Sequence, residues 1–111
     1  MIPLTHWFFN AQLQYSCVLL SRLADRPIND ETVQTIVQYL YDVTKNIHME
    51  GMPDPMTPGW FGQHIPAFVY GSEMSLEMEQ MIGREKCRFI AEAISWFGER
   101  RKCEAVQQGE R

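Results

Sequence analysis

The chain has 111 residues, 45% hydrophobic and 22% charged, with a net charge of −4 and a pI near 5.3. That is one domain's length (residues 1–111), long enough for a real core and too apolar for intrinsic disorder. The acidic balance disfavours nucleic acid as a partner, and three widely spaced cysteines, Cys17, Cys87 and Cys103, do not make a disulfide framework.

Residues 1–21 carry no Asp, Glu, Lys or Arg. Pro3, Thr5, His6, Asn10, Gln12, Gln14 and Ser16 interrupt the apolar run, and no basic segment precedes it. Neither a spanning helix nor a signal peptide is therefore expected, and the chain reads as soluble and cytoplasmic, with reduced thiols and no membrane partner. Thr5 to about Asp25 reads as a first helix with Thr5 as N-cap. Leu4, Trp7, Phe8, Ala11, Tyr15, Val18, Leu19 and Leu23 form one apolar row, and Phe9, Leu13, Cys17, Leu20 and Ala24 a second. A helix this apolar is either the central element or a docking surface.

Arg26-Pro27 ends that helix, and Asn29 or Asp30 caps the next. Val33, Ile36, Val37, Leu40, Val43, Thr44 and Ile47 repeat at helical spacing as far as His48. Glu31, Gln34, Gln38, Asp42 and Lys45 form the wet face. The short linker makes the two helices antiparallel neighbours.

Residues 49–71 are expected to form a long irregular loop. Its segment Met52–Phe68 holds four prolines, two glycines and three aromatics, and prolines so close together oppose a helix. Ala67 to Tyr70 has strand character but no evident partner strand. The loop is too apolar to stay in water, so it must pack on the helices or against another molecule. Trp60 and Phe61 are candidate partner anchors, with Met52, Met56 and His64 beside them. His48, Met49, Met52, Met56 and His64, near Trp60, also form a soft-metal set suited to Cu(I), although methionine is as readily core filler.

Ser72 or Ser75 caps a third helix, whose broad face holds Met74, Met78, Met81, Ile82, Phe89, Ile90, Ala93, Ile94 and Phe97. Gly83 falls inside it and marks a kink, a close crossing or a break into two helices. Arg84, Arg88 and Arg101, with Lys102 beside them, form a basic candidate surface for phosphates or an acidic partner, interleaved with Glu85, Glu92 and Glu99. The tail, about residues 107–111, is expected to fray.

No catalytic signature is present: no G-x-S-x-G, no glycine-rich phosphate loop, no H-E-x-x-H. Of the near-neutral bases, His6, His48 and His64, none is tied to a thiol or carboxylate by spacing. The expectation is an all-α domain of three to four helices with a long Pro/Gly/aromatic loop between helices 2 and 3. Its function reads as non-enzymatic protein binding, as a small inhibitor or adaptor, without cofactor or bound metal. Self-association covers the first helix equally well. The alternatives are a nucleic-acid-associated role for the basic C-terminal helix and copper binding at the Met/His set.

Overall fold

A computed structural model describes residues 2–3, 7, 10–47, 49–53 and 55–109, with side chains at position 7 and from position 10 to 101 within those ranges. The chain is all-α. Its helices are α1 (Ala11–Ser21), α2 (Glu31–Lys45), α3 (Pro58–His64), α4 (Leu76–Ile82) and α5 (Arg84–Gly109). A two-residue parallel pairing also joins β1 (Ile2–Pro3) to β2 (Met49–Glu50), with Ile2 opposite Met49.

Each N-terminus has a local cause. The Asn10 side chain accepts from the Gln12 and Leu13 N–H groups, so α1 starts at Ala11; the expected cap, Thr5, lies outside the described residues. Asp30 does the same for Thr32 and Val33 at the head of α2. Past Ser21 the chain leaves the helix through turns, short of the expected Asp25.

The segment expected to be irregular contains α3. Thr57 caps it, accepting from the Trp60 N–H at 3.1 Å, and Pro58 takes the first helical position, where a missing N–H costs nothing. Pro66 opens a 3-10 turn over Ile65–Phe68, and the Val69 and Tyr70 N–H groups bond back to its carbonyl. Ala67 to Tyr70 is therefore turn rather than strand. Proline excludes helix interiors but favours first turns, and here its position matters more than its number.

Gly83 breaks the third predicted helix into α4 and α5: its φ of +106° is a conformation that side-chain-bearing residues avoid. Upstream, Ser72 accepts from the Met74 N–H and Ser75 returns a bond to the Ser72 N–H. The Glu79 carboxylate accepts from the Ser75 hydroxyl at 2.5 Å and the Gly71 N–H at 3.1 Å, and lies 3.6 Å from Arg84. These groups, the Ser75 hydroxyl foremost, hold its carboxyl below the ordinary value of 4.5 against some desolvation. A depressed folded-state value stabilises above the unfolded value and ceases to do so as pH falls through the folded one. Urea denaturation should thus separate wild type from Glu79→Gln at pH 7 and bring the two together below pH 4.5. A gap unchanged in acid would show that the charge is irrelevant.

The central element is α5, not α1. Cys87, Ile90, Ala91, Ala93, Ile94 and Phe97 on α5 are all buried, and α1, α2, α3 and α4 all pack on this helix. α1 buries Leu13, Ser16, Cys17 and Leu20 while Tyr15 stays 63% exposed. Trp7 reaches the core beside α2, where its indole N–H donates to Thr44 Oγ1 at 3.0 Å. α3 crosses α5 at Gly62 and Gly98: a Cβ on either would stand 2.6 Å from the other's Cα.

Candidate functional site

The site centres on Trp96, and Gln34 explains how it is built. Gln34 belongs to the expected wet face of α2, yet it points inward. Its Nε2 donates to the Ile28 carbonyl at 2.6 Å and the Ala93 carbonyl at 3.2 Å, strapping the turn before α2 onto α5. Its Oε1 is buried and has no hydrogen-bond partner among the described residues. Three residues beyond Ala93, Trp96 is half-buried and lines two clefts.

The first cleft, about 360 Å³, is lined by Asn29, Gln34, Trp96, Phe97, Arg100 and Arg101. The Arg100 guanidinium sits 5.3 Å from the Trp96 ring centre, and that of Arg101 sits 5.4 Å from Phe97. Arg101 also donates to Gln38 Oε1 at 2.9 Å. Among the described residues its lining holds two arginines, two amides and two aromatic rings. The second cleft, about 440 Å³, has Ile28, Tyr70, Ala91 and Trp96 as apolar walls and Arg88, Glu92 and Glu99 among its polar residues. Trp96 is thus shared by a cleft with two arginines and a cleft with mainly apolar walls.

The residues expected from sequence are placed differently. Phe61 is fully buried, with its ring centre 5.3 Å from Tyr41 and 5.9 Å from Phe97. Met56 is 3% exposed, and its carbonyl accepts from the Tyr41 hydroxyl. Both are core, with no surface left for anchoring a partner. Trp60 is half-buried and stacked on exposed His64 at 4.5 Å, and Met52 is half-buried. Arg84 pairs with Glu79 and covers the Tyr70 ring, while Arg88 pairs with Glu92 at 3.1 Å. Arg101 faces α2 instead, so the three arginines do not form one basic stripe. Lys102 lies outside the described side chains.

Of the soft-metal set, Met49 and Met56 are buried in the core, and His48 lies outside the described residues. Among the described residues no three His, Cys, Asp or Glu side chains gather as a metal site. Cys17 and Cys87 are buried free thiols. Burial, with the neighbouring Cys87, pushes Cys17 far up; burial, with Glu79, pushes Cys87 up to about 11. Neither is poised as a thiolate nucleophile. Cys103, His6 and Asp54 lie outside the described side chains. No helix among the described residues is long and apolar enough to cross a membrane.

Trp96 carried a readable signal: a tryptophan followed by arginine at helical i, i+4 spacing, beside the apolar row rather than in it. Comparison of the chain with protein-family models, with curated proteins and with solved structures finds no match.

Proposed function

We propose that the protein is a non-enzymatic protein-binding module, an inhibitor or adaptor, whose partner docks along the two clefts lined by Trp96. One observation carries this reading. A half-buried tryptophan stands on the helix that all the other described helices pack against, and it lines both a mainly apolar cleft and one with two arginines. Tryptophan and arginine dominate the energetics of protein interfaces, and a rigid helix presents them at little ordering cost.

The nucleic-acid alternative has less support, because Arg84 and Arg88 each face a carboxylate and Glu92 and Glu99 stand among the arginines. The reading predicts that Trp96→Ala abolishes capture of a partner that the wild type retains from its native extract, while the helical circular-dichroism signal is kept. Retention of every wild-type partner by Trp96→Ala would remove the site.

A further inference from the structure

Among the described residues five large hydrophobic side chains stay exposed, and three of them, Met74, Leu76 and Met81, fall within one short stretch at α4. We infer that the outer face of α4 docks a basic amphipathic segment of a protein partner. Its apolar side chains lie against Met74, Leu76 and Met81, and its lysines or arginines meet Glu73 and Glu77. The inference goes beyond the docking site at Trp96, which stands about 18 Å along α5 from the end of α4, and does not rest on it.

Local packing decides which side of α4 faces water. Ser75 and Met78 turn into the core, at 0% and 1% exposed. On the other side Met74, Glu77 and Met81 recur at i, i+3 and i+7, with Glu73, Leu76 and Gln80 as the row beside them; all six are exposed. Apolar surface left in water costs free energy that a partner recovers by covering it. Methionine suits such a face, because its flexible thioether adapts to the shape laid against it.

Charge complementarity selects the occupant. No lysine or arginine occurs between Lys45 and Arg84. Arg84 pairs with Glu79 and covers the Tyr70 ring, Arg88 pairs with Glu92, and Glu85 and Lys86 at the head of α5 offset each other. Glu73 and Glu77 remain, with no hydrogen bond or ion pair among the described residues. The basic run at residues 100–102 begins about 24 Å along α5 from Arg84, too far to neutralise them. Glu73 and Leu76 also line one hollow of about 440 Å³, where a lysine stem can lie on Leu76 with its ammonium at Glu73. Nucleic acid and anionic lipid would meet like charge on this face, and a second copy would set two acidic faces together.

Fluorescence anisotropy tests this with the intact chain and a labelled, end-capped peptide of Leu and Lys in helical repeat. One control carries Glu for Lys, and another scrambles the order so that no apolar face forms. The basic amphipathic peptide should bind at least about tenfold tighter than either. Glu73→Gln with Glu77→Gln should weaken it about threefold to tenfold and flatten its salt dependence. Met74→Ser with Met81→Ser should weaken it by about tenfold or more. Should the methionine variant not fold, the glutamate variant decides alone. Trp96→Ala should bind the peptide as the wild type does. Binding lost in Trp96→Ala but kept in the α4 variants would move the peptide to the Trp96 clefts and overturn the inference. Equal affinity for the acidic or scrambled peptide, or no binding at about 1 mM, overturns it as well. So does self-association, or binding to anionic lipid vesicles, that Met74→Ser with Met81→Ser abolishes. The docking site at Trp96 is tested separately, by partner capture.

Discussion

Gly98→Ala should destabilise the fold by about 3 kcal/mol, at the upper end of the usual cost of overpacking a core. For a domain of this size that is a fall in Tm of roughly 10–20 °C. The added Cβ would stand 2.6 Å from the Gly62 Cα and 2.9 Å from the Pro58 carbonyl oxygen. Both neighbours are backbone, so no rotamer change relieves the clash and α3 must move away from α5. Helix propensity acts in the opposite direction, favouring alanine by about 1 kcal/mol, so it cannot be the source of a loss. Gly62→Ala meets the same obstacle from the other side, with the Gly98 Cα at 2.6 Å. Once either substitution has parted the helices, the second has less to disturb, and the double variant should cost less than the sum of the singles. Thermal and urea denaturation measure all three. A Gly98→Ala protein as stable as wild type would mean that α3 does not cross α5 at this point.

Phe61→Ala should cost about 3–5 kcal/mol, the range for deleting a buried phenyl ring. Against a typical total of about 5–15 kcal/mol, that loss removes a large part of the protein's stability. The ring is fully buried and meets Tyr41 and Phe97 nearly edge-on, at interplanar angles of 75° and 82°. The neighbouring Trp60→Ala, whose indole is only half-buried and stacks on His64, should cost much less. Calorimetry of the pair separates the two residues that sequence reading groups together as anchors. Equal and small effects would place Phe61 at the surface after all.

The all-α class was legible because it rests on local pattern. The apolar repeat of α2, its Asp30 cap and the broad apolar face of α5 are all written within a few turns of chain. α3 was also written locally, in Thr57-Pro58 as cap and first residue, but a count of prolines hides that signal and their order reveals it. Other features depend on distant partners. Gly62 and Gly98 mean little until the fold brings them together, and Gln34 is polar on a polar face until α5 supplies Ala93 as its acceptor. Phe61 illustrates the same limit: hydrophobicity says that it will be covered, not whether its own chain or another molecule covers it.

That α5 is the hub has a consequence for biosynthesis. Until Arg84–Phe97 has left the ribosome, Phe61 lacks Phe97, Gly62 lacks its seat, and α1, α2 and α3 lack the helix on which all of them pack. The nascent chain therefore carries the apolar surface that α5 covers unprotected until that helix has emerged, the interval in which a polypeptide relies most on chaperones.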